Sequence, residues 1–346
     1  MYDKFSRRRK AADAAIMTLS AGGVVAVLLL LFSLRQVVLL AYAAVLAAVI
    51  FSALANALSR RLPLPRGLCV VLVPIVLLGV VAGVMALVGS EAAEQFRDLR
   101  DRIPEMVAQV EELLPNNSLE RTIRENLPAS DVIAGWVTGF ASLVTSALTG
   151  ILLGLLGGIY LASNPESYRR GFAALFSDNV QSEVYDVLIK LYVGLKNWLL
   201  GQLVSMAVVG TLVYIGLTLL GVPGAIALAL LAALLEFIPL IGPFLSAIPP
   251  ILAALTVSPQ LALYTTGFFV VLQQIEGNVL APIIMKHAVS IPPAVTLLSL
   301  MVIGTLFGPL GLILGGPLTV AAFITIRELW VIRTMGHEEM EPEEGV

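Results

Sequence analysis

Of the 346 residues in this chain 58% are hydrophobic and 13% charged, about half the charge of a soluble domain, which excludes water as its main solvent. The net charge of -3 conceals a basic amino end (Lys4, Arg7, Arg8, Arg9, Lys10) and an acidic carboxyl end (Glu338, Glu339, Glu341, Glu343, Glu344). Basic clusters beside apolar runs act as cytoplasmic anchors, and no extended basic soluble surface accompanies them, so nucleic acid is not an expected partner.

A helix needs ~20 mostly apolar residues to cross ~30 Å of hydrocarbon, and residues 14–34, 37–58 and 67–89 each supply such a run. Ser6-Arg7-Arg8 before the first run resembles a twin-arginine signal. A second run follows at once after a turn at Arg35-Gln36, so the first is expected to stay as a membrane helix. Arg60, Arg61 and Arg66, spaced by Pro63 and Pro65, place the next loop in the cytoplasm with the amino terminus. Residues 1–90 therefore read as a set of transmembrane helices. The single cysteine, Cys69, forms no internal disulfide, and with only His287 and His337 besides it no metal site or other cofactor is expected.

Residues 91–132 form the largest polar insertion, and the ten acids against five arginines between 91 and 131 suit the extracytoplasmic side. Phe96, Leu99, Ile103, Met106, Val110 and Leu113 make a heptad-like seam interrupted at Pro104, which packs either on its own protein or on another subunit. A further span, 133–162, returns to a loop with Arg169 and Arg170. Between 163 and 198 a cytoplasmic amphipathic segment carries Val180, Val184, Leu188, Leu191, Leu195 and Trp198 at helical spacing behind a cap at Ser177, and a span over 199–220 follows. The acidic tail, 331–346, is expected in the cytoplasm.

Residues 199–330 differ in texture from Gly221 onward, because Pro and Gly break apolar runs that are too short for simple spans. Pro239, Gly242, Pro243 and Pro249 mark one group; Pro282, Pro309, Gly311, Gly315, Gly316 and Pro317 mark the second. Main chain that leaves the helix at membrane depth must be buried in protein or line a wet cavity, since unpaired amides in lipid cost several kcal/mol each. The halves also correspond: Val222-Pro223 opens a run ending at Glu236-Phe237-Ile238-Pro239, and Ile291-Pro292 opens one ending at Phe307-Gly308-Pro309. Paired broken helices are the sequence pointer to a secondary transporter's binding site.

Polar groups in this core are few. They concentrate at Glu236, at the run Gln273, Gln274, Glu276 and Asn278, and at Gln202 near the start of the 199–220 span. An ionised carboxylate at a helix centre costs roughly 2.5–3.5 kcal/mol, so it is paired, protonated or in a wet pathway. Either acid suits a cation or a proton, or else caps a helix end; Gln274 and Asn278, four apart, share a face and suit a hydroxyl-rich solute or a helix-to-helix bond. Lys286 and His287 read as a loop-end anchor. No phosphate-binding GxxxxGK[ST] loop, HExxH motif or Ser/His/Asp constellation occurs with supporting context, so neither ATP drive nor an enzyme is expected.

Leu220-Gly221-Val222-Pro223, then 236–243 (Glu-Phe-Ile-Pro-Leu-Ile-Gly-Pro), 274–282 (Gln-Ile-Glu-Gly-Asn-Val-Leu-Ala-Pro), Gly308-Pro309-Leu310-Gly311 and Pro317-Leu318 together resemble the autoinducer-2 exporter family of bacterial transporters, the PerM-like permeases. Where that pattern runs Leu-Ala-Ile-Pro, this chain has Leu314-Gly315-Gly316-Pro317. The resemblance implies an all-α integral membrane protein of about eight transmembrane segments, with re-entrant helices in the C-terminal third. It also implies a bacterial inner-membrane location, export of a small polar solute coupled to an ion gradient, and assembly as a homo-oligomer. Sodium/proton antiport is the alternative, and Glu236 and Glu276 fit either role. A membrane scaffold organising partners through the 96–113 seam is the expectation of a different class.

Overall fold

The computed structural model describes residues 33–84, 86–87, 154–284 and 291–332, and they are predominantly helical, with no strand among them. The first expected span apart from its last two residues, the acidic insertion with its seam, most of the 133–162 span, Lys286, His287, His337 and the acidic tail apart from its first two residues lie outside the described residues.

Helix α1 (Arg35–Arg61) begins at Arg35, where a turn is expected from sequence, and closes with Arg60 and Arg61 in its last turn, where cations complement the helix dipole. Helix α2 (Arg66–Val84) turns back, and α3 (Gly154–Ser163) packs against both. Ala48, Phe51 and Ala55 of α1 meet Cys69, Val70 and Val73 of α2 and Leu155 and Ala162 of α3 in one core. Arg66, expected only as a cytoplasmic anchor, also holds two helices together. Its Nε donates to Asn56 Oδ1 at 3.0 Å and its terminal nitrogens to the Ala162 and Ser163 carbonyls at 3.2 Å. Those carbonyls end α3 and have no partner within the helix, so Arg66 caps it.

Asn164 caps the next helix, α4 (Pro165–Ala173), by accepting from the Ser167 amide, with Pro165 at the first helical position. Glu166 at its start accepts from Tyr185 Oη at 2.6 Å, from Arg170 Nε at 2.8 Å and from Arg169 at 2.9 Å. The Tyr185 hydroxyl first, then Arg170, hold the Glu166 carboxyl below its ordinary 4.5. Because the folded state binds the proton less tightly than the unfolded chain, this contact stabilises at neutral pH and is lost as pH falls through the depressed value. Hydrogen-exchange protection of residues 165–190, corrected for intrinsic exchange, is therefore expected to drop in acid below about pH 4, and Glu166→Gln should remove that acid step.

Helix α5 (Asp178–Leu220) runs for 43 residues, about 64 Å at 1.5 Å per residue. The amphipathic segment and the following span are thus one rod, because no proline or turn sequence separates them. Ser177 occupies the cap position, yet its side chain makes no capping bond. The rod ends at Gly221, whose φ of 78° is a left-handed stop, with the Val222 amide donating back to the Leu217 carbonyl.

Two short apolar helices follow, α6 (Ala225–Leu235) and α7 (Ile241–Leu255). At 11 and 15 residues they reach about 16 and 22 Å, short of the ~30 Å of hydrocarbon. Then α8 (Pro259–Ile275) passes into a wide π-helical turn, Glu276–Leu280, and a last helical turn α9 (Ala281–Ile284). The π turn suits Pro282, whose ring has no N–H and would otherwise press on the Asn278 carbonyl four residues back. Val209, Val213 and Leu217 of α5 form the common core with Leu228 and Ala232 of α6, Ala253 and Ala254 of α7, and Phe269 and Leu272 of α8.

Among the described residues five helices are long and apolar enough to cross a membrane by length and composition, the last being Pro293–Leu329. That last one, α10 (Pro293–Ile326), is broken at Gly308, with φ 67° and ψ -151°. A Cβ on Gly304 would lie 2.5 Å from Leu312, and one on Gly315 would lie 2.5 Å from Leu300. In a straight helix the second pair would stand about 22 Å apart, so residues 293–307 and 309–326 fold back as a hairpin. The second arm packs against α1 and α5, where Val320 and Ile324 meet Leu46, Val49, Leu195, Trp198 and Leu199. Tyr42 of α1 donates to the Pro317 carbonyl at 2.7 Å.

Lys190 of α5 pairs with Glu328, just past α10, at 2.6 Å. The Glu328 side chain is 11% exposed and the lysine 49%, so Lys190→Ala strands a largely buried carboxylate while the lost attraction is partly screened. A destabilisation of about 1–2 kcal/mol is expected, read as a lower Tm in detergent, with the Lys190→Ala/Glu328→Gln double variant costing less than the sum.

Candidate functional site

Glu236 caps the carboxyl end of α6, where the chain leaves the helix, and 5% of it is exposed. Residues 236–240 form the tip of the α6–α7 hairpin. At its apex Leu240 has φ 67° and ψ -46°, and the Ile241 amide donates to the Pro239 carbonyl at 2.8 Å. This is a γ-turn of the strained hand on a residue that is not glycine. Gly242 follows because an added Cβ would overlap the Leu235 carbonyl oxygen.

The break is held from α5. Gln202, buried, donates through Nε2 to the Glu236 backbone carbonyl, one of those left orphaned at the helix end. One turn on, the Ser205 hydroxyl donates to Glu236 Oε1 at 3.4 Å. Glu236 Oε2 is buried with no hydrogen-bond partner. The Glu276 side chain, at the start of the π turn, reaches the Glu236 carboxyl group. Two acids 40 residues apart in sequence (276 - 236) therefore meet at two separate irregularities of the main chain.

The other residues singled out from sequence fall in three places. Asn278 donates through Nδ2 to the Gln274 carbonyl at 2.9 Å and to Gln274 Oε1 at 3.2 Å, so this exposed pair does share a face; Gln273 is half-buried on the same helix. Pro239 lies in the first break, Gly242 and Pro243 open α7, and Pro309 follows the break at Gly308. Gly311 fits against the Ile303 carbonyl across the second hairpin. Helical backbone continues through Pro249, Pro282, Gly315, Gly316 and Pro317.

Sequence reading passed over Ser205, a lone hydroxyl in an apolar run whose one signal is its position three residues after Gln202. It also passed over Trp198 as part of the site. Trp198 stands edge-on to Phe237 of the hairpin tip, with ring centroids 6.1 Å apart.

The family model of the AI-2E family transporters matches residues 22–330. The chain belongs to this family. It is 25% identical over 293 residues to YueF of Bacillus subtilis, covering 78% of this chain and 77% of that one. It is 26% identical over 276 residues to YhhT of Escherichia coli K12, covering 78% and 76%. It is also 25% identical over 274 residues to TqsA of E. coli K12, covering 78% and 79%, and TqsA is described as an AI-2 transport protein. This AI-2E transporter is accordingly a multi-pass, all-α membrane protein with a transport role.

Its Gly316 faces the gap between Trp198 and Pro239. An added Cβ would stand 2.7 Å from the tryptophan ring and 3.1 Å from the proline. The glycine lets the second hairpin press directly on the first break and on α5.

Proposed function

We propose that this AI-2E transporter is a secondary exporter of a small polar solute, driven by an ion gradient, and that the Glu236 break is its working centre. One observation carries the reading: a buried carboxylate sits in a helix break between two helices too short to cross the bilayer, opposed by a second acid. A charge so placed is costly unless it takes part in ion or solute passage. The exposed Gln274 and Asn278 amides, which flank Glu276 in sequence, offer donors and acceptors for hydroxyl groups. An autoinducer-2-like molecule is the solute class that the similarity to TqsA favours.

Exchange of sodium for protons is the second reading, and the facing carboxyl groups favour it. The bilayer is that of the bacterial inner membrane, the termini face the cytoplasm, and the working unit is a homo-oligomer. Proteoliposomes with imposed proton or sodium gradients test the proposal. Wild type should move autoinducer-2 or sodium at the expense of the imposed gradient, and Glu236→Gln should lose at least about tenfold of the gradient-driven rate, a change of ~1.4 kcal/mol. Equal inertness of wild type and variant toward solute and both ions would end it.

A further inference from the structure

Glu236 has a donor on one oxygen only. Ser205 serves Oε1, Oε2 has none although the side chain is almost entirely buried, and the remaining polar neighbour is the Glu276 carboxyl group. The neighbour of the Glu276 carboxyl group is in turn that of Glu236. Among the described residues no lysine, arginine or histidine pairs with either acid. Around the tip, α5 presents the neutral Gln202 and Ser205, the second arm of α10 presents Gly316, and α8 leads into Glu276, the one titratable group facing Glu236 among the described residues. Two acceptors thus confront each other with nothing to donate between them, an arrangement that an ionised pair does not sustain in a low-dielectric site.

We propose that Glu236 and Glu276 form one proton-binding site, in which the two carboxyl groups share a single proton. The shared O–H supplies the donor that Glu236 Oε2 lacks and leaves the pair with one negative charge instead of two. A divalent cation fits less well, since calcium takes roughly 6–8 oxygen ligands and this place offers two carboxyl groups and one hydroxyl. Each acid stands on irregular backbone, Glu236 four residues before the strained Leu240 and Glu276 at the opening of the π turn. A small rearrangement of either break separates the carboxyl groups and frees the proton. As the coupling ion, this proton rests on the transporter reading above; as a bound proton, it does not.

The full-length chain in lipid nanodiscs provides the test, with infrared difference spectroscopy across a pH titration. Wild type is expected to show a carboxylic-acid C=O band at neutral pH, equivalent to one proton per chain, that shifts in deuterium oxide. Glu236→Gln and Glu276→Gln should each abolish it, because the amide donates to the surviving carboxylate in place of the proton; Glu328→Gln should leave it intact.

Dicyclohexylcarbodiimide, which reacts with protonated carboxyl groups in apolar surroundings, keeps the question open to wild type alone should a variant not fold. It should modify one of the two acids, once per chain, and less as pH rises. A band that survives in either variant, titration of the acids independently of one another, or no labelling of either acid overturns the shared proton. Solute flux without a protonated carboxyl group would retain the exporter and discard this site, and a protonated pair without flux of any solute or ion would do the reverse.

Discussion

Gly242→Ala is expected to cost about 3 kcal/mol or more and to abolish transport. The residue sits where α7 leaves the break, and its Cβ would overlap the Leu235 carbonyl oxygen and crowd the Glu236 amide. Both are main-chain atoms of the opposing helix end, which cannot rotate aside as a side chain does, so the hairpin tip has to open. Overpacking of this kind runs to about 1–3 kcal/mol, and higher where backbone is struck. The opening also displaces the Glu236 carbonyl from Gln202, which ties the stability loss to the site. Gly267→Ala in α8 is the control: nothing stands within 4 Å of its Cβ, so it should be stabilised by roughly 0.5–1 kcal/mol through helix propensity. Thermal unfolding in detergent, with proteoliposome flux on the same preparations, separates the two outcomes. Equal Tm for wild type and Gly242→Ala would refute the packing described for the tip.

The second large effect belongs to Gly308→Ala and has a different origin. No atom lies within 4 Å of a Cβ there, so space is not the obstacle. The torsions are: φ 67° with ψ -151° is a region that residues with a Cβ hardly visit, at about 1–3 kcal/mol. Alanine also favours continuing the helix through 293–326, which would unfold the hairpin and strip Leu300 from Gly315. Spin labels at Val295→Cys and Ile326→Cys, both exposed positions, report the change. They should be close in wild type, and a fraction of the Gly308→Ala molecules should move toward the roughly 46 Å of a straight helix. A distance distribution unchanged by the substitution would mean that the turn does not depend on glycine.

The two substitutions show why one break was easier to read than the other. Prolines and glycines announce both, since each removes a donor or permits a torsion that other residues avoid. Their mere presence does not say which of them opens the helix: Pro249, Pro282 and Pro317 lie in continuous helix, while the turn itself falls on Leu240 and Gly308. A proline deprives the carbonyl four residues back of its partner, and whether the chain answers with a kink, a π turn or a reversal is decided by what surrounds that carbonyl.

The same division runs through the polar residues. Composition alone establishes a membrane protein, because 13% charge cannot cover a water-exposed surface of this size. The sparse acids of the core stand out by contrast with their apolar neighbours, and the ordered motifs around them carry the family resemblance that the 22–330 match bears out. What local pattern could not supply was which acid meets which. The approach of Glu276 to Glu236, the serine that serves one oxygen and the glutamine that holds the broken end come from α5, the hairpin tip and the π turn converging in space. Hydropathy and spacing act over a few residues along one helix, whereas the partners of a buried carboxylate are chosen by how separate helices pack. Arg66 and Glu328 repeat the lesson at the periphery: their charge was plain from the start, and only the packed helices turned one into a cap and the other into half of an ion pair.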